Sequence, residues 1–412
     1  MRRLIAALVI SGAGFLLAAT SSAANDHWSQ GLAAFNEGSF DIAAEHFEAV
    51  TETNPSWPGG YYMLGRCHTG LGNTTAAIEM LTKAHELDPK DADTVVALGE
   101  ALVAAGEPVA DVSSLLESLP EELQSRAAAQ LASVLVNDGK AAAAEAILLD
   151  CVAKNQEDPQ LFRLLGQSQK SQGLIDRAFV SFSRAFTLDS DEASARAAIQ
   201  SAFALAETEP DPVRQQQWFD HALEVSEALV EVVPTSENHR TAGQAAFAAH
   251  ELENAVRHFR VAVKLDENDP KTLYLLGRTL VTLDREAEAE DVYSEALTKA
   301  PDDKLARLLH GQLGRLAACR LDLNGAAAHY RLADRPERAA EIEKLAAEFS
   351  DALAQLDKLK STIAEIRGME KELEALGDEQ GVAAMQERAA VHQSEVNALE
   401  ANLEDVRSAL CQ

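Results

Sequence analysis

Apolar and small residues recur along this chain in columns about 34 residues apart. Glycines stand at 31, 65 and 99, and Ala132 and Gly166 continue the series. A second series runs Gly38, Gly72, Gly106, Gly139 and Gly173 in the same steps. A third column holds Ala43, Ala77, Asp111, Ala144 and Ala178, and a bulky fourth holds Phe47, Leu81, Leu115, Leu148 and Phe182. The phase returns downstream in Gly243, Gly277 and Gly314, in Ala255, Ala289 and Ala326, and in Phe259, Tyr293 and Tyr330. Between Ala178 and Ala255 there is room for one further copy and about nine extra residues, which fall at "ETEPDPVRQQQ" (207–217). The pattern predicts nine copies over residues 25–340.

Each copy reads as two short helices and a turn. A glycine beside an apolar residue on helix A, as in Leu64–Gly65, lets helix B approach closely. Ala77 is the matching small residue on helix B, and Leu81 one turn on fills the space between them. Gly72 suits a turn that needs positive φ, and Pro89 ends helix B. One such pair cannot bury its apolar face alone, so stacked copies supply the core. From Glu337 a three-and-four alternation replaces the repeat: Ile342, Leu345, Phe349, Leu356, Leu359, Ile363 and Ile366, then Val396, Leu399, Leu403, Val406 and Leu410. With "LGDEQG" (376–381) as the break, residues 341–412 are expected to form a coiled-coil helical hairpin, with an irregularity at Gly368. The hairpin either caps the open end of the array or recruits a partner or second copy.

"YYMLGRCHTGLGNTTAAIEMLTKAHELDP" (61–89) and "LYLLGRTLVTLDREAEAEDVYSEALTKAP" (273–301) resemble the tetratricopeptide repeat, a helix–turn–helix unit of 34 residues. The resemblance covers about three quarters of the chain and implies an all-α superhelical solenoid. On it, Gly31, Gly65, Gly99, Gly166, Gly243 and Gly277, with Ala43, Ala77, Ala178, Ala255 and Ala289, are structural residues of the repeat. The departures are Asp111 in an alanine column, a short helix B near "SLP" (118–120), and the long sixth copy.

Composition agrees with helices: 47% of residues are hydrophobic but only 5% aromatic, so burial relies on alanine and leucine. A net charge of −30 repels phosphates and anionic lipid, which argues against nucleic-acid partners. Arg2 and Arg3, an apolar run over 4–19, and the small residues Ser22 and Ala24 are ordered like a secretory signal over residues 1–24. Cleavage before Asn25 would remove two positive charges and place the chain in the periplasm; retention as an anchor is the alternative. Cys67, Cys151, Cys319 and Cys411 show no paired spacing and are expected as free thiols.

The chain lacks GxxxxGK, HExxH, GxSxG and CxxC motifs, so neither catalysis nor a cofactor is expected. The expected function is that of an exported interaction scaffold, with an architectural subunit docking or oligomerising through its coiled coil as the alternative. In the resembled family, exposed residues of helix A line a concave groove. That face carried onto this chain gives one column of Trp28, Tyr62, Val96, Ala129, Arg163, Ala197, Arg240, Tyr274 and Gly311. The second is Leu32, Arg66, Glu100, Ser133, Gln167, Ser201, Gln244, Arg278 and Arg315. Trp28, Tyr62, Arg66, Arg163, Arg240, Tyr274, Arg278 and Arg315 are therefore the candidate contacts for a protein or peptide partner, an acidic or carboxyl-terminal segment with apolar side chains. The competing reading pairs each arginine with an acid of the adjacent repeat.

Overall fold

A computed structural model describes residues 22–299 and 301–411. All but the last three residues of the expected leader lie outside the described residues. Among the described residues the only regular elements are α-helices, twenty in all. Nine pairs come first: α1 (Ser22–Asn36) and α2 (Phe40–Thr53), α3 (Pro58–Gly70) and α4 (Thr74–Leu87), α5 (Ala92–Ala105) and α6 (Val109–Glu117). They continue with α7 (Glu121–Asn137) and α8 (Ala141–Lys154), α9 (Pro159–Ser171) and α10 (Ile175–Asp189), α11 (Glu192–Thr208) and α12 (Pro212–Val232). After these come α13 (Ser236–Ala248) and α14 (Leu252–Leu265), α15 (Pro270–Thr282) and α16 (Glu286–Thr298), α17 (Asp303–Cys319) and α18 (Leu323–Leu332). Two long helices, α19 (Pro336–Leu376) and α20 (Glu379–Cys411), complete the chain. It divides into two compact units, one ending at Val233 and one starting at Pro234. The first therefore holds six helix pairs and the second holds three pairs and the long helices.

The columns mark the contact between paired helices. A Cβ added at Gly65 would lie 2.5 Å from Leu81 Cγ, and one at Gly277 would lie 2.3 Å from Tyr293 Cε1. No real Cβ tolerates such distances, so the absent side chain sets how close helix B sits. Ala77, Ala178, Ala255 and Ala289, with Phe47, Leu81, Phe259 and Tyr293, are essentially removed from solvent. The turn after helix A requires a left-handed residue. In the first unit the second glycine series supplies it, at φ between 74° and 81°. In the second unit His250 (61°), Asp284 (57°) and Leu321 (62°) occupy the same step of the repeat without a glycine. Helix A begins on a side-chain cap in most copies, as where Asp158 accepts from the Gln160 amide at 2.9 Å and Asp302 from Leu305 at 2.8 Å.

Three expectations are corrected. In α6 the column residues are displaced by one: Val112 and Leu116 are buried, while Asp111 is exposed and Leu115 half-exposed. Gly99 accordingly faces Leu131 and Val112 rather than Leu115. The nine surplus residues are not an inserted loop, because α11 and α12 lengthen to 17 and 21 residues and only 209–211 link them. The same lengthening shifts the helix-A face there, so Ser201 is buried at 2% exposure while Gln200 is exposed. Gly368 does not interrupt α19, which runs unbroken for 41 residues to a left-handed Gly377.

In the second unit α19 and α20 form an antiparallel hairpin, packed along Leu356, Ile363 and Val396 with Leu359, Leu399 and Leu403. Its base closes over the ninth pair, where Ala339, Ile342 and Leu410 share a core with Ala317, Leu323 and Tyr330. Cys319 Sγ donates to the Leu410 carbonyl at 3.7 Å. The base of the hairpin is thus a cap.

Candidate functional site

The eight candidate residues lie four in each unit, all on helix A. Trp28, on α1, is half-buried and meets Phe47 and Trp57 edge-on, with ring centroids 5.3 and 4.6 Å away. Tyr62, on α3, packs against the cores of the first two repeats. Both are more deeply engaged in packing than a groove anchor requires, which corrects the expectation that the core does not need them. Burial raises the pKa of the Tyr62 phenol, partly opposed by Arg66. Tyr274, on α15, is half-buried with its centroid 6.2 Å from that of Tyr293.

The arginines fall into two classes. Arg163, on α9, bonds Asp189 at 2.9 Å and approaches Asp191 at 3.7 Å. Arg240, on α13, donates to Asp269 at 2.7 Å. Asp191 and Asp269 are the caps of the next repeat's helix A, accepting from the Ser194 amide at 2.9 Å and the Lys271 amide at 2.9 Å. Burial would raise the pKa of Asp269. Bonds from Thr272, Arg240 and the Lys271 amide outweigh it and hold the carboxyl below its ordinary value. Burial likewise opposes, and bonds from Ser194 together with Arg163 prevail, at Asp191. These two arginines follow the competing reading: they lock adjacent repeats together.

Arg66 and Arg278 are different. The Arg66 guanidinium lies 6.0 Å from the Tyr62 centroid, and its Nη1 donates to the Tyr62 hydroxyl at 3.2 Å. Arg278, on α15, is exposed and lies 5.4 Å from the Phe247 centroid and 5.9 Å from that of Tyr274. Neither has a carboxylate partner among the described residues, and Arg315, half-buried on α17, has none either. Stacking on a ring face leaves the guanidinium edge, with its fork of N–H donors, directed away from the ring. The second unit therefore holds one exposed cation on an aromatic bed, with Arg315 at the corresponding position one repeat on.

One feature lay outside the columns. In the first unit a trough of about 610 Å³ runs between α8 and α10, floored by Phe162 and Leu165 of α9, with Arg177 and Arg184 among its lining. Leu149 and Val180, at 46% and 64% exposure, are its apolar edges. The sequence signal for it was an apolar residue on a helix-B position that the repeat leaves to solvent.

Cys67, Cys151 and Cys319 are free thiols, and burial pushes the first two up to about 12 and about 11. Among the described residues no three histidines, cysteines or carboxylates gather at metal-binding distance, and no helix is long and apolar enough to cross a membrane.

Two tetratricopeptide-repeat family models match the sequence, one over residues 29–92 and the other over 69–129 and 246–313. A comparison with curated proteins finds no match. Among solved structures, a MamA fragment from Desulfovibrio magneticus is 18% identical, with 42% of this chain and 94% of that chain covered at a TM-score of 0.33. A tetratricopeptide-repeat protein of Thermus thermophilus is 21% identical, with 46% and 98% covered at 0.32. Yeast Tom70 is 17% identical, with 94% and 96% covered at 0.29. The chain carries tetratricopeptide repeats, and its array of helix pairs is built from them.

Proposed function

We propose that this chain is a non-catalytic scaffold that binds a partner segment on the exposed helix-A face of its second unit. The observation that carries the reading is Arg278, an exposed guanidinium stacked on Phe247 and Tyr274 with no carboxylate of its own among the described residues. In a protein of net charge −30, an arginine left without an acid is held for something else. A carboxylate fits its fork, and neighbouring aromatic faces suit apolar side chains, so the partner is an acidic or carboxyl-terminal peptide segment. Residues 1–24 add export to the periplasm as part of the reading.

The test is a peptide array of acidic carboxyl-terminal sequences, each as free acid and as amide, followed by titration of the best binder. Arg278→Glu is expected to weaken binding at least tenfold while the melting temperature stays put. Equal binding by that variant removes the site. Intact mass of the native protein decides export: a chain beginning near Asn25 supports it, and one retaining Met1 sinks it. The second reading, docking through the hairpin, is favoured by Leu353, Met369 and Val391, exposed at 42%, 45% and 55% on α19 and α20. Light scattering on a chain with these three changed to serine separates the two: a loss of oligomer supports docking.

A further inference from the structure

Six of the eleven histidines stand in three pairs of one design: His27 with His46, His239 with His258, and His310 with His329. The partners of each pair are 19 residues apart, one on helix A and one on helix B of the same repeat. The first directly precedes the groove column, at Trp28, Arg240 and Gly311; the second directly precedes the bulky column, at Phe47, Phe259 and Tyr330. No other repeat has a histidine at either place, so the two residues come together or not at all.

Going beyond the partner reading, we propose that each pair is a binding site for one divalent transition-metal ion, held by the two Nδ1 atoms. These atoms are 3.1, 3.2 and 3.1 Å apart in the three pairs. Ring centroids at 5.4, 5.4 and 5.3 Å set the two nitrogens nearly head-on, so without metal one Nδ1–H donates to the other Nδ1. The same separation suits a metal. With about 2.0–2.1 Å to each nitrogen, it corresponds to an angle of roughly 100° at the ion, between square and tetrahedral values. The helices need not move. Each ring turns about its Cβ–Cγ bond to aim its lone pair at the ion, and the shared proton passes from Nδ1 to Nε2 of the same ring. No proton is lost and both ligands stay neutral.

Imidazole suits zinc, copper and nickel, and the ligand must be unprotonated. Burial, with Arg257 for one and His329 for the other, lowers the pKa of His239 and His310, which keeps these two rings neutral at neutral pH. Among the described residues no third histidine, cysteine or carboxylate completes a set with any pair. Water would fill the remaining positions, giving an open, exchangeable site that ties helix A to helix B.

Zinc chloride titrated into the tag-free, chelator-stripped full chain at about pH 7.5 tests the proposal by calorimetry. Three equivalents are expected, with a melting temperature that rises with zinc and with binding lost near pH ~5.5 as the imidazoles protonate. His46→Gln, His239→Gln and His329→Gln are each expected to remove one equivalent while circular dichroism stays unchanged. A variant that misfolds is replaced by glutamine at the other histidine of its pair. Absence of saturable uptake by the native sequence overturns the proposal. So does a folded triple variant that still takes three equivalents.

Discussion

Gly277 and Gly368 lie in the same unit, each inside an α-helix, and have opposite meanings. At Gly277 a Cβ would meet Tyr293 at 2.3 Å, whereas at Gly368 nothing lies within 4 Å. The repeats are packed to the limit of what two helices allow. The hairpin away from its base is two amphipathic helices with a thin seam and little else to hold in place. A repeat gains its rigidity by excluding side chains, and the hairpin relies on helix propensity.

The largest expected effect tests the first half of that contrast. Gly277→Ala should destabilise the second unit by about 2–3 kcal/mol, as overpacking does when the obstructing ring cannot leave. A chemical melt that shifts by less than a fifth of that would show that Tyr293 has room to move. Next comes Arg240→Ala, expected to cost about 2 kcal/mol at neutral pH because it strips a charged hydrogen bond from a half-buried cap. The pH dependence follows from Asp269. Its pKa is depressed in the folded state, so its contribution is complete above the ordinary carboxylate value near ~3.9 and is lost as pH falls through the folded value. The difference between native chain and Arg240→Ala should therefore shrink in melts below about pH 3. A gap that stays constant with pH would mean the salt bridge is not its source.

Smaller gains are expected where the hairpin or a turn is under-optimised. Gly368→Ala should stabilise by about 0.5–1 kcal/mol, because alanine fits an open helical position that glycine serves poorly. His250→Gly should add up to about 1 kcal/mol by relieving a left-handed residue that carries a Cβ. A loss in either case would reveal a contact that the geometry does not contain. The smallest effect is that of Arg278→Gln, expected to move stability by less than about 0.5 kcal/mol. That value set against Arg240→Ala is the energetic signature of an arginine held for a partner rather than for the fold.

Most of the architecture was legible because close packing leaves a mark in sequence: only glycine or alanine fits where helix A meets helix B, and something bulky must fill the gap beyond. The reading failed where a helix changed length. In the sixth copy the surplus became extra helical turns, and the face carried over by counting landed on Ser201, which is buried. In α6 a short helix moved its buried set to Val112 and Leu116. The site was less legible than the fold. An arginine at a groove position reads the same whether Asp269 lies 2.7 Å away or Phe247 lies beneath it. That distinction depends on the next repeat's cap, more than 20 residues away in sequence, where periodicity is silent. The histidine pairs did leave a signal, a constant spacing of 19, but a search for metal-ligand spacing on one helix passes over it.

The closure of α20 onto α17 has a kinetic consequence. Neighbouring helices of a repeat find one another across a short stretch of chain, which favours rapid formation from any point along the array. The bond from Cys319 to Leu410 spans 91 residues. Bringing those ends together requires both long helices to form and fold back first. Refolding of the second unit should accordingly show a fast phase for its helix pairs and a slower one for the closing of the hairpin base, and until that slower step ends the apolar face of α17 and α18 stays open to water.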